Sequence, residues 1–417
     1  MTRLAVRTLI APSGERLPIL LDRSTGMPVF YPNLYVLTEL RQTNRASATM
    51  ERALREIAVL HDFLCDTGID LEDRLREGSL LSLGEIDGLA RHCRQTFKPS
   101  RRSESGRNVH ALRFGENKFV LSHPVSQTTA ANRLRTIHAY LSWLIALRLS
   151  TIQQCEVFRT KLEQIRESVL PALRARIPMS KGRNTLNLRQ GLVPELVERL
   201  LQIVDPSNSE NPWKSEFIRQ RNALIVCWLL QLGVRRGELL NVMISDVDFR
   251  KNTVTIARRP DDPQDPRRMQ PKVKTRDRIL PLSPELAALS HKYIITTRSQ
   301  FARNKRHGFL FVAEHTGEPM SLSSLNKMFH KIRMTIPEMP DNLSGHMLRH
   351  TWNDEFSRKL DGQDVGEARE EQMRSYLMGW SPTSSTSRVY TRRFIEEAAR
   401  QASLKLQETI LIKDNEK

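Results

Sequence analysis

The sequence predicts a mainly α chain with a small antiparallel β-sheet, built as an α-helical domain followed by a mixed α/β domain. Three observations predict it. Apolar residues recur at three- and four-residue steps through much of residues 33–175, as helices with one buried stripe require. Short β-branched runs stand out at the N-terminus and between residues 253 and 282. Helices and strands do not alternate, which excludes a βαβ architecture. A chain of 417 residues also exceeds one ordinary core, so two principal domains are expected.

Residues 1–32 read as a small β-like extension. RTLIAPSGERLPILLD places two strands around a Ser13-Gly14 turn, and STGMPV adds a second turn signal. Residues 33–175 read as one all-α domain. In SATMERALREIAVLHDFLCDTG, Met50, Leu54, Ile57, Leu60 and Leu64 form the stripe, and Gly68 lies just past the end. In TTAANRLRTIHAYLSWLIALRL the stripe is Leu134, Ile137, Leu141 and Leu144. Arg133, Arg135 and His138 lie off it, where they either meet phosphates or face water. FKPSRRSESGRNVHALRFGENK, between these helices, is a basic loop. Residues 176–191, RIPMSKGRNTLNLRQG, form a basic linker whose Lys181 and Arg183 suit a polyanion backbone.

The second domain spans residues 192–400, with a tail at 401–417. LVPELVERLLQIV starts a helix with Pro194 at its first position, where proline costs little. RNALIVCWLLQLG is apolar nearly all round and predicts a buried central helix ended by Gly233. TVTIA and RILPL predict a hairpin with a long, proline-rich tip. LSPELAALSHKY opens with Ser283 as N-cap and Pro284 behind it, and SLSSLNKMFHKIRM is a further amphipathic helix. The tail carries Leu404, Leu406, Ile410 and Ile412. It either folds back on its own domain or packs on a neighbouring protomer.

Composition narrows the partners. Lys+Arg number 65 against 47 Asp+Glu, a formal charge of +18 that calls for a polyanion. The basic residues are spread along the chain rather than set beside an apolar anchor, which favours nucleic acid over a membrane surface. No apolar run reaches the length of a bilayer span, and MTRLAVRTLIAPSGER lacks a signal-peptide core. Cys65, Cys93, Cys155 and Cys227 form no CxxC pair, which speaks against a zinc site and a disulfide framework. A cytoplasmic, nucleoid-associated location follows as the expectation.

Four short segments could carry chemistry. LGVRRGELL sets Arg235 and Glu238 three apart, KVKTRDRILPL places Lys272 and Lys274 near the hairpin tip, SGHMLRHTW holds His346, Arg349 and His350, and LMGWSPTSSTSRVYTRRF carries Trp380 and Tyr390. A guanidinium is always charged and grips two phosphate oxygens as a fork. Two of them could clamp one phosphate and stabilise a phosphorane without a metal. A lysine can protonate a leaving alkoxide, and a phenol can attack phosphorus. Taken singly, each has a structural reading: Arg235–Glu238 as a helix salt bridge worth about 0.3–0.5 kcal/mol, His346 as a satisfied core histidine, Tyr390 as a packing residue.

In this order, GVRRGEL, HMLRHT and LMGW…VYTR resemble the tyrosine recombinase (phage-type integrase) family, over about 190–400 and more loosely over the helical domain before it. The resemblance implies a helical core-DNA-binding domain and a catalytic domain closing on duplex DNA. It implies Tyr390 as nucleophile, forming a 3′-phosphotyrosyl bond, with Arg235 and Arg349 on the non-bridging oxygens and His346 and Trp380 assisting. Lys274, which fits the family position better than Lys272, would protonate the 5′-oxygen. Glu238 would orient its neighbours, and His350 would be structural. Arg133, Arg135, Lys181 and Arg183 would contact DNA. No metal or cofactor is implied. Four protomers on DNA, with other recombinase or accessory proteins, would carry out integration, excision or transposition of a mobile element. Two departures stand out. Trp380 replaces the commoner histidine, and the stretch from Arg349 to Gly379 is long, its acidic insert DGQDVGEAREEQ reading as a surface loop. Two other readings share these residues: an inactive accessory DNA-binding member, distinguished by failure to join DNA covalently, and a type IB topoisomerase-like enzyme, distinguished by site-independent relaxation.

Overall fold

A computed structural model of the chain describes residues 3–95, 124–151, 156–179, 191–271, 273, 275–302, 305, 307–361, 365–381 and 403–404. The expected sites Lys181, Arg183, Lys272, Lys274 and Tyr390, the basic loop from about 97 to 118 and nearly all of the tail lie outside them. The chain divides into two compact units, Met1–Ala11 with Arg16–Thr185, and Pro12–Glu15 with Leu186–Lys417.

The first unit comprises β1 (Leu4–Ile10), β2 (Arg16–Asp22), α1 (Phe30–Tyr35), α2 (Ser47–Thr67), α3 (Leu71–Arg76), α4 (Leu83–His92), α5 (Gln127–Thr151) and α6 (Glu156–Ala175). The two strands pair antiparallel, Leu4 opposite Asp22. The expected stripes are the buried ones: Met50, Leu54, Ile57, Leu60 and Leu64 on α2 meet Leu134, Ile137, Leu141 and Leu144 on α5 in one core. Gly68 stops α2 in the left-handed region at φ 67°, which glycine adopts without a Cβ penalty. Ser82 and Glu85 close a reciprocal capping box on α4. The strands are not a separate extension, because Leu4 and Leu20 are buried in the same core as the helices.

The second unit contains α7 (Pro194–Val204), α8 (Glu216–Leu232), α9 (Arg236–Leu239), β3 (Val247–Asp248), β4 (Thr253–Ile256), β5 (Arg278–Pro281), α10 (Pro284–Lys292), α11 (Ser299–Ala302), α12 (Leu322–Thr335), α13 (Gly345–Asp361) and α14 (Glu367–Met378). The strands form one antiparallel sheet in the order β3-β4-β5. Helix α8 is central. Leu224, Ile225, Val226, Trp228 and Leu229 are all buried, and the Trp228 indole donates to Ser290 Oγ on α10 at 2.9 Å. Ser283 caps α10 through the Leu286 amide at 3.1 Å, as its sequence predicts.

Two expectations need correction. The acidic insert is not simply a loop: from Glu367 onward it is α14, ended by Gly379 at φ 65°. The connection between β4 and β5 is not a free hairpin tip either. Arg267, buried within it, donates to both Asp265 oxygens at 2.8 Å, to the Leu240 carbonyl at 2.9 Å and to the Met320 carbonyl at 3.1 Å. Its guanidinium also lies 4.4 Å from the Phe309 ring centre. A buried arginine tolerates desolvation only when its donors are met, and here they fold the connection back onto its own unit.

Candidate active site

The site is assembled around one carboxylate. Gly233 ends α8 at φ 59°, and the chain turns into α9 with Arg235 as the extended residue before its first turn. Glu238, three residues on, folds back to accept the Arg235 amide at 2.9 Å and lies 3.4 Å from the Arg235 guanidinium. Local chain geometry therefore fixes this pair. Glu238 has no exposed side-chain surface, so its charge is uncompensated unless other groups reach it.

Three do. From β5, Arg278 Nη2 lies 2.8 Å from Glu238 Oε2. From the segment before β5, the Thr275 hydroxyl donates to Oε1 at 2.5 Å. From α13, Arg349 Nη1 stands 3.9 Å from Oε2. Burial alone would raise the Glu238 carboxyl, but Arg278 and Arg349, with the hydrogen bonds from Arg278 and Thr275, hold it below its ordinary value of 4.5. It is the ionised form that the cluster keeps.

Backbone carbonyls set the two buried arginines. Arg349 donates to Gly233 O at 2.6 Å and to Met378 O at 3.1 Å, and its guanidinium lies 5.6 Å from the Trp380 ring centre. Arg278 donates through Nε to Leu377 O at 2.7 Å and through Nη1 to Thr275 Oγ1 at 3.1 Å. Asn353 links the same elements, donating to Arg349 O at 2.7 Å and reaching Met378 Sδ at 3.6 Å. Arg235, Glu238, Arg349 and Trp380, from three of the four segments, thus meet in one place. His346 is half-buried on the first turn of α13, and its ring meets the buried His350 edge-on at 4.6 Å. His350 itself is 7% exposed.

Gly233 is required twice over. Its φ lies in the left-handed region, and a Cβ there would stand 2.8 Å from the Trp352 indole. Gly233→Ala should lower stability by about 1–3 kcal/mol, read as a shifted urea midpoint at unchanged slope. An unchanged midpoint would mean the turn relaxes freely.

Sequence reasoning missed Arg278 and Thr275. The signal was present: in β5 the pleat alternates, burying Arg278 and Leu280 while Ile279 is 54% exposed. A charged residue at the inward position of a strand marks a buried partner. Among the residues expected to touch DNA, Arg133 donates to the Cys93 and Gln95 carbonyls at 2.8 and 2.7 Å, holding the end of α4. Arg135 is exposed, and its Nη1 reaches Asn132 Oδ1 at 3.2 Å.

The electrostatic result is specific. Three guanidiniums converge on one carboxylate, so this group of four carries a surplus of positive charge. Arg349 is 1% exposed and Arg235 29% exposed, so one cation is buried and the other reaches solvent. Such an arrangement suits an anion with two acceptor oxygens.

Residues 192–397 match the family model described as the phage integrase family. Tyrosine recombinase XerS of Streptococcus uberis is 20% identical over 312 residues, covering 73% of this chain and 77% of that protein. Transposase A from transposon Tn554 of Staphylococcus aureus is 22% identical over 357 residues, covering 83% of this chain and 84% of its own. Among solved structures, the Tn1549 transposon integrase in complex with transposon right end DNA is similar at a TM-score of 0.47 and 17% identity, covering 89% of this chain and 100% of that one. A lambda integrase dimer bound to a COC′ core site is similar at a TM-score of 0.46 and 14% identity, covering 85% of this chain and 95% of that one.

Proposed function

We propose, from the membership of residues 192–397 in the phage integrase family, that the chain is a site-specific DNA recombinase that cuts and rejoins strands through a phosphotyrosine and serves a mobile element. The observation that carries the reading is the cluster of three guanidiniums on Glu238. A phosphodiester brings the negative charge that this cluster lacks, and its charge grows as phosphorus becomes five-coordinate.

In the proposed step the Tyr390 phenol releases its proton to solvent as its oxygen forms a bond to phosphorus, and the bond to the 5′-oxygen breaks. Lys274 gives its proton to that oxygen, leaving a 3′-phosphotyrosyl joint and a free 5′-hydroxyl. Arg235 and Arg349 bind the two non-bridging oxygens, with His346 and Trp380 beside them. Glu238 holds the arginines and transfers no proton. A 5′-hydroxyl of the partner strand reverses the step, so the energy of the broken bond is conserved in the phosphotyrosine. Arg135, Lys181 and Arg183 contact the DNA backbone. Four protomers, two per site, assemble on double-stranded DNA.

A nicked duplex from which the cleaved end diffuses away tests this. The wild-type protein should accumulate a covalent joint, in excess EDTA as well, and the joint should map to the peptide containing Tyr390. Tyr390→Phe should form none. Joints that persist in Tyr390→Phe, or that vanish with EDTA, would overturn the proposal.

A further inference from the structure

Pro271, Val273 and residues 275–278, the described residues that neighbour Lys272 and Lys274 in the sequence, are tied down at several points. The Pro271 carbonyl accepts from the Asn241 side chain at 2.5 Å, and Val273 is buried. The Arg276 amide donates to Gly379 O at 3.1 Å. Between these lies Thr275, buried, with both hydrogen-bonding capacities of its hydroxyl in use. It donates to Glu238 Oε1 and accepts from Arg278 Nη1. The same carboxylate therefore holds the arginines and, through one hydroxyl, the chain next to Lys274.

We infer that Thr275 is a positioning residue, whose hydroxyl holds the lysine-bearing segment in register with the arginine cluster. This rests on the reading of the chain as a strand-transfer enzyme and deepens it. Thr275, Arg276 and Arg278 are held before substrate arrives, so the chain next to Lys274 in sequence pays little ordering cost at the proton-transfer step. Loss of the hydroxyl should leave the arginine clamp standing, because Arg278 still reaches Glu238 directly at 2.8 Å. It should instead loosen the group that protonates the leaving oxygen.

The test compares two nicked duplexes, one with an ordinary scissile phosphodiester and one in which sulfur replaces the bridging 5′-oxygen. On the second, the phosphorus–sulfur bond breaks and a thiolate leaves without needing a proton, since a thiol's pKa is about 8.5. On the ordinary duplex, Thr275→Val should form joints about tenfold more slowly or worse, while Thr275→Ser stays within about threefold of wild type. On the sulfur duplex, Thr275→Val should return to within about threefold of wild type. An equal deficit on both duplexes, or none on either, would overturn the inference. A wild-type protein that forms no joint on either would overturn the strand-transfer reading itself, and this inference with it.

Discussion

Glu238→Gln should lower the stability of the second unit by about 3–5 kcal/mol, because it removes the one negative charge that Arg278 and Arg349 share inside the protein. The amide is nearly the same shape and can still accept from Thr275. What is lost is compensation, and two desolvated guanidiniums are left facing each other. Urea unfolding at neutral pH checks the magnitude, and a loss below about 1 kcal/mol would mean that the arginines are paired elsewhere. The pH dependence carries a sign. The folded protein holds the Glu238 carboxyl below its ordinary value of 4.5. Its contribution is therefore fully present above that value and fades as pH falls through the depressed one. The gap between wild type and Glu238→Gln should be widest at neutral pH and should narrow in the acid range below about 4.5.

Arg349→Ala should slow formation of the covalent joint by about 10²–10³-fold, the usual cost of deleting one preorganised donor to a developing oxyanion. Its geometry argues for an effect at this end of the scale. The guanidinium is buried, oriented by the carbonyls of Gly233 and Met378, and stacked near Trp380. It reorganises little as charge develops, which is where electrostatic catalysis gains most. Arg349→Lys should rescue little, since an ammonium cannot reproduce two fixed donors in a fork. Single-turnover joint formation at saturating protein separates this from weaker DNA binding.

The helical framework was largely legible because its signals are local. The stripe Leu134, Ile137, Leu141 and Leu144, the stop at Gly68 and the Ser283-Pro284 start each depend on neighbours within about one turn. Arg235, Glu238 and Arg349 stood out for a different reason: GVRRGEL and HMLRHT keep their spacing on short stretches that fold as units. What was not legible depends on long-range contact. RILPL reads as an apolar strand, yet its pleat turns Ile279 outward and Arg278 inward, because the partner Glu238 lies 40 positions away. The acidic insert has no apolar stripe, so its helix was invisible; the buried Arg374–Glu370–Ser357 contact helps hold α14 to α13. The proline-rich connection looked like an open tip because nothing local announces that Arg267 will be buried on Phe309.

The central claim is that guanidiniums gathered on Glu238 neutralise charge on the scissile phosphate. The most direct measurement replaces one non-bridging oxygen at the mapped junction by methyl, which makes the phosphate neutral while leaving its bond to the 5′-oxygen in place. If the arginines serve that charge, the deficit of Arg349→Ala relative to wild type should shrink from about 10²–10³-fold to less than about tenfold on the neutral linkage. A deficit that stays undiminished would contradict the account, since the arginine would then be needed for something other than phosphate charge.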